Sequence, residues 1–148
     1  MPSPRLAVRA LIVEEGRLLL VNAYPDGRSD LWCAPGGGVD AGTDLPTNLR
    51  REVHEETGLS IEVGDLALVN EFHDPSRGFH QVELFFRARL VAGALDPAWV
   101  DTDRIVTERR FFGAAELAGI RFKPDSLARV AFSPAPLVHY DGLELMVA

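Results

Sequence analysis

The sequence predicts a single α+β or α/β/α-sandwich domain, with antiparallel strands around one central helix. Three observations point there. The 148 residues are close to the size of one ordinary domain. Apolar residues at 47% and charged residues at 25% match a globular chain able to build a core. Apolar runs of strand length alternate with turn-forming residues, and residues 44–57 between them carry a clear helical spacing.

The elements follow in chain order. Leu6 to Val13 and Arg17 to Asn22 are apolar runs on either side of Glu14-Glu15-Gly16, which predicts a hairpin. Residues 24–30, Tyr-Pro-Asp-Gly-Arg-Ser-Asp, are turn chemistry throughout. They lead to a short strand, Leu31 to Ala34, that ends in a glycine loop at Pro35 to Gly38. From Asp44 to Thr57, Leu45, Leu49 and Val53 recur every fourth residue, Thr43 is the expected N-cap, and Gly58 stands where a glycine ends a helix. Pro46 is tolerated in the first turn. Leu59 to Phe72 and Gln81 to Val91 read as a second antiparallel pair, and Thr107 to Phe112 as one more strand. Ala114 to Ala118 and Pro124 to Phe132 read as helical pieces. Ser-Pro-Ala-Pro at 133–136 breaks structure before Leu137 to Tyr140, an apolar stretch that packs on the domain or on a neighbouring subunit of a homodimer.

Charge and cysteine content exclude several functions. With 15 basic and 22 acidic side chains the net charge is −7, which supplies no broad basic surface for duplex nucleic acid. The single cysteine, Cys33, makes neither an internal disulfide nor a multi-cysteine zinc site, so a reducing, cytoplasmic setting is expected. Arg5, Arg9 and Glu14 interrupt the N-terminal apolar run, leaving neither a signal peptide nor the roughly 20 apolar residues of a membrane span.

Residues 36–59 carry the chemistry. On a helix turning about 100° per residue, with Leu45 at zero, Leu49 and Val53 fall at about 40° and 80°, and Glu52, Glu55 and Glu56 at about 340°, 280° and 20°. Three carboxylates on one stripe repel one another. Arg51, four residues before Glu55, offsets part of that, and a hard divalent cation such as Mg²⁺ or Mn²⁺ would offset the rest. Gly36, Gly37 and Gly38 just upstream let backbone groups approach a metal or a phosphate without a side chain between, so loop and acids read as one site suited to diphosphate chemistry. The same acidic run on a generic helix would be a solvated face.

The spacing decides between these readings. Gly37, Arg51, Glu52, Val53, Glu55, Glu56, Gly58 and Leu59 stand in the register of the Nudix hydrolase box, and Trp32, Pro35 and Gly36 resemble that family's approach to it. The resemblance implies the Nudix α/β/α sandwich, with a mixed sheet and a central catalytic helix, over residues 1–148. It implies hydrolysis of the pyrophosphate bond in a nucleoside diphosphate linked to another moiety, a small-molecule substrate. It also implies that Glu52, Glu55, Glu56 and the Gly36 carbonyl are metal ligands and that Arg51 orients the carboxylates. The family's first box glutamate is replaced by Thr43, with Asp44 beside it, which leaves a nucleotide-binding regulator as the alternative. Glu108 is the candidate for an extra acid near the metals. Arg28 and Tyr24 are candidates for holding the diphosphate or the base. Glu83 either faces a cleft or is paired on its strand, His73 and His80 read as ordinary turn histidines, and Cys33 as a small core residue.

Overall fold

A computed structural model describes residues 3–134 and 137–148. Its strands are β1 (Arg5–Glu14), β2 (Arg17–Asn22), β3 (Leu31–Trp32), β4 (Gly36–Gly38), β5 (Ser60–Asp74), β6 (Phe79–Ala92), β7 (Glu108–Gly113), β8 (Arg121–Phe122) and β9 (His139–Leu145); its helices are α1 (Leu45–Thr57), α2 (Ala114–Leu117) and α3 (Leu127–Ala131). The main sheet runs β7-β2-β1-β6-β5-β9, with β4 paired to β1, and β3 and β8 form a separate pair. It is mixed: β1 lies parallel to β6 and β5 parallel to β9, while β2 and β4 run antiparallel to β1, β6 to β5, and β7 to β2.

The predicted hairpin is present, with Val13 opposite Leu18. Glu15 and Gly16 both take positive φ, at 51° and 73°, the conformation whose twist suits a two-residue hairpin turn. Alternation along β1 then sorts side chains between two layers. Val8, Ala10 and Ile12 join Leu49 and Val53 of α1 on one face. Leu11 joins Leu68, Phe85, Phe112, Leu127 and Val130 on the other, beneath α2 and α3. Helices on both faces of one sheet make the α/β/α sandwich.

Three local expectations change. The glycines at 36–38 are a strand, not a loop: Ala7, Val8 and Arg9 of β1 pair with Gly38, Gly37 and Gly36. Backbone pairing needs no side chain, and here it forbids one, because a Cβ on Gly36 (φ 151°) would stand 1.9 Å from the Val8 carbonyl oxygen. The N-cap is Asp44, not Thr43. With α1 starting at Leu45, the side chain of Asp44 reaches the first amides, and its Oδ1 accepts from Thr47 N at 2.8 Å. Thr43 N instead donates to the Asp40 carbonyl, closing the turn before the helix. The last apolar stretch continues beyond Tyr140 as β9, which adds to the β5 edge of its own chain. Of the chain break expected at 133–136, Ala135 and Pro136 lie outside the described residues.

The two candidate caps separate experimentally. Asp44→Ala is expected to lower the thermal midpoint by about 2–4 °C, the effect of losing a cap in a domain of this size. Thr43→Ala should leave the midpoint unchanged, and the opposite order would return the cap to Thr43.

Candidate active site

The site lies where β4 meets the last turns of α1. Gly36 donates its amide to Glu56 Oε1 at 2.9 Å, which draws the carboxylate to the strand and leaves Glu56 6% exposed. Gly37 gives room to the next acid, since a Cβ there would stand 2.6 Å from Glu52 Oε2. Gly37 therefore admits a carboxylate that a side chain would push aside, while Gly36 holds one through its backbone. Gly58 ends the helix in the left-handed conformation, and its amide donates to the His54 carbonyl.

Arg51 organises the outer part of the stripe. Its Nη2 lies 3.0 Å from Asp40 Oδ2 and 3.1 Å from Asn48 Oδ1, and its Nη1 lies 3.5 Å from Glu52 Oε1 and from Glu55 Oε1. Asn48 is fully buried and ties helix to strand: Nδ2 donates to the Gly38 carbonyl at 3.0 Å, and Oδ1 accepts from the Asp40 amide at 3.0 Å. Sequence reasoning passed over Asn48, because an asparagine within an apolar spacing looks like an irregularity until three of its four bonding positions are seen to be used.

Two further pieces hold the helix end from outside. Trp99 Nε1 donates to the Glu55 carbonyl at 2.9 Å, and its ring stacks edge-on against His54. Arg109 Nε donates to the Glu56 carbonyl. Between them Asp101, itself buried, folds its loop by accepting from the amides of Ile105 and Val106 at 3.0 and 2.9 Å.

Burial dominates the electrostatics. It pushes the Glu56 carboxyl from its usual 4.5 to about 8; Arg9 and the Gly36 amide pull the other way, while Glu52 and Asp101 add to the rise. Burial also raises Glu52, opposed by Arg51 and reinforced by Glu55 and Asp103. Asp101 and Asp103 are thus acids that bear on the site from outside the helix, and no periodicity marks either. Glu108, the expected extra acid, is exposed at the start of β7 opposite Asn22. Arg28 is exposed and donates to the Pro25 carbonyl at 3.2 Å, closing its own turn.

The donor set suits a hard divalent cation: every candidate ligand is an oxygen, and a nearly buried carboxylate held above its usual range is one that a cation would ionise. Among the described residues no three acidic, histidine or cysteine side chains already converge on one point. The glutamates are held apart instead, Glu56 by Gly36 and Glu55 by Arg51.

Comparison with known proteins places this geometry. The NUDIX domain profile matches residues 3–133. The chain belongs to the NUDIX domain family. Within it, the chain is 34% identical over 93 residues to a "MutT-like protein" of Streptomyces ambofaciens, covering 62% of this chain and 56% of that one. It is 28% identical over 92 residues to an "ADP-ribose pyrophosphatase" of Methanocaldococcus jannaschii, covering 62% and 54%. The chain thus spans about half the length of the curated relatives it matches. Among solved structures, a MutT NUDIX hydrolase from Burkholderia pseudomallei superposes with a TM-score of 0.75 at 25% identity, covering 89% of this chain and all of that one. A UDP-X diphosphatase at 22% identity and TM-score 0.73, covering 95% and 68%, shares the fold.

The raised Glu56 carboxyl fixes a sign for pH dependence. The folded, cation-free chain holds a proton that the unfolded chain releases near 4.5, so stability is full below about 4.5 and falls as pH rises to about 8. Thermal melts in EDTA between pH 5 and 9 should show this fall, and Glu56→Gln should flatten it. A melt that is level across the range in the unsubstituted protein would contradict the burial of Glu56 as a protonated acid.

Proposed function

We propose that residues 1–148 act as one Nudix domain that hydrolyses the pyrophosphate bond of a nucleoside diphosphate linked to another moiety, in the cytoplasm and with Mg²⁺, Mn²⁺ being the substitute. The observation that carries this is the junction of Gly36 and Gly37 with Glu56 and Glu52: two glutamates of α1 lie against a strand that glycine keeps clear of side chains, with Glu55 beside them on Arg51. The relatives named as ADP-ribose pyrophosphatases support the reaction class.

Glu52, Glu55, Glu56 and the Gly36 carbonyl would hold the cation. When bound, such an ion supplies neutral balance to the diphosphate and an acidified water. The chain's own residues do the remaining work. Gly36 fixes the position of the Glu56 carboxylate through its amide. Arg51 holds Glu55 and Glu52 ready on the outer side while its other nitrogen is anchored on Asp40. Glu52 or Glu55 accepts the proton of the attacking water, and both are more accessible than Glu56. Arg28 and Glu108 would reach a substrate only at the rim.

The replaced first glutamate favours no loss of function in this arrangement. Thr43 lies outside α1, and Asp40, three residues before it, already presents a carboxylate to Arg51. The regulator reading keeps its force only if turnover is absent.

Glu56→Gln should lower kcat by at least about a hundredfold with the thermal midpoint held or raised, because the change removes a ligand charge and not the fold. Turnover of ADP-ribose, nucleotide sugars and nucleoside triphosphates should vanish in EDTA and return with Mg²⁺. Thr43→Glu separates the two readings: little change in kcat fits an enzyme, whereas activity gained from none would make the unsubstituted chain a binding module.

A further inference from the structure

On the face of the sheet turned away from α1 lies a cavity with an open mouth. Asn70 and Glu83 stand in it as direct partners across β5 and β6, 3% and 6% exposed, which sets their Cβ atoms about 5 Å apart. Leu31, Phe72, Leu145 and Val147 give it apolar walls.

The hydrogen bonds of the two polar residues leave defined atoms over. Glu83 Oε2 accepts from Arg9 Nε at 2.8 Å and from Gln81 Nε2 at 3.0 Å. Asn70 Nδ2 donates to Asp141 Oδ2 at 3.0 Å and to Glu144 Oε1 at 3.3 Å. Because carboxylates only accept, this fixes which end of the amide is which. Glu83 Oε1 and Asn70 Oδ1 take none of these bonds, and both residues line the cavity. The cavity therefore sets two acceptors side by side on its sheet floor, with Tyr24, Lys123 and Glu144 also on its lining.

It is linked through the sheet to the acidic helix by Arg9. Arg9, which holds Glu83, places Nη1 3.2 Å from the Ala34 carbonyl and 3.4 Å from that of Gly36, whose amide holds Glu56. A ligand seated on Glu83 lies one strand away from the carboxylates.

We propose that this cavity seats the base of the nucleotide and that the base is guanine, with its ring N1–H and exocyclic amino group donating to Glu83 Oε1 and Asn70 Oδ1. This rests on the pyrophosphohydrolase reading above and narrows it to guanosine diphosphate derivatives. Guanine presents two adjacent donors. Adenine and cytosine set an acceptor nitrogen beside one amino group, and uracil sets carbonyls on both sides of one N–H, so each would bring an acceptor against a fixed acceptor. Phe72 offers a face for the ring. Arg9 is a positioning residue here, holding the Glu83 carboxylate in place without touching the base.

Nucleoside monophosphates test this, since they lack the bond to be hydrolysed. Calorimetric titration of the intact chain with GMP, IMP, AMP and UMP, with and without Mg²⁺, should find GMP about tenfold or more tighter than AMP and UMP. IMP, which lacks the exocyclic amino group, should fall between. Glu83→Gln can turn one acceptor into a donor and should erase the preference of GMP over AMP. Equal affinities, tighter AMP or UMP, or no binding of any of the four at millimolar concentration would overturn the assignment, and the series on the unsubstituted protein decides even if Glu83→Gln fails to fold. The two readings fail separately. Equal hydrolysis of GDP-, ADP- and UDP-sugars removes the guanine assignment and leaves the enzyme, whereas guanine preference in binding with no hydrolysis removes the enzyme and leaves the base site.

Discussion

The hydrogen bond from the Gly36 amide to Glu56 is the constraint on which the site depends. It exists because β4 comes against β1 so closely that a side chain at Gly36 would meet the Val8 carbonyl. That approach has a second consequence. Glu56 points at a strand instead of at water, so its carboxylate leaves bulk solvent, and burial raises its affinity for a proton. A fold selected only for stability would place an apolar residue beside Leu49 and Val53, since a buried ionisable group destabilises unless it is neutralised. The position makes physical sense once a cation takes the place of the proton.

The rest of the site maintains this exposed cost. Asn48 joins helix, strand and turn through its amide, and Arg51 keeps the outer glutamates from closing on Glu56. Trp99 and Arg109 occupy the carbonyls of Glu55 and Glu56 at the helix end, where carbonyls have no partner within the helix. Three glutamates that repel one another are therefore fixed by bonds to their backbone and flanks, while their oxygens are left for a ligand.

How much of this was legible follows from the range of each interaction. The helix, its glycine stop and the inward angle of Glu56 are local, and a 3.6-residue period shows them directly. The β1–β2 hairpin and the β5–β6 pair were legible for the same reason. The cap at Asp44 was missed by one residue, a choice that depends on where the first turn begins and that adjacent Thr and Asp leave open. Gly36–Gly38 read as a loop because glycine is poor strand material in isolation, and only the partner strand makes it one. Asn48, Asp101 and Asp103 act through partners tens of residues away or through a turn, and no spacing in the sequence marks them. Tyr24, offered as a substrate contact, does line the cavity beneath β5 and β6, whereas Arg28 closes a turn.

Glu83 shows why a choice between two bland and sharp readings can be a false one. Its strand position allowed either a paired carboxylate or a cleft-facing one, and the structure makes it both. The parallel register of β1 and β6 places Arg9 beside it, and although burial disfavours the charged guanidinium, the Glu83 carboxylate outweighs that and keeps it charged. An ion pair of this kind is weak support for stability, because desolvation offsets most of its attraction. Its contribution is geometric. Arg9 spans from Glu83 to the carbonyls of Ala34 and Gly36, so the face of the sheet that carries the cavity and the strand that grips Glu56 are set by one side chain. A methionine of similar length would fill the space and lose that registration, which is the physical reason for an arginine in the middle of an otherwise apolar β1.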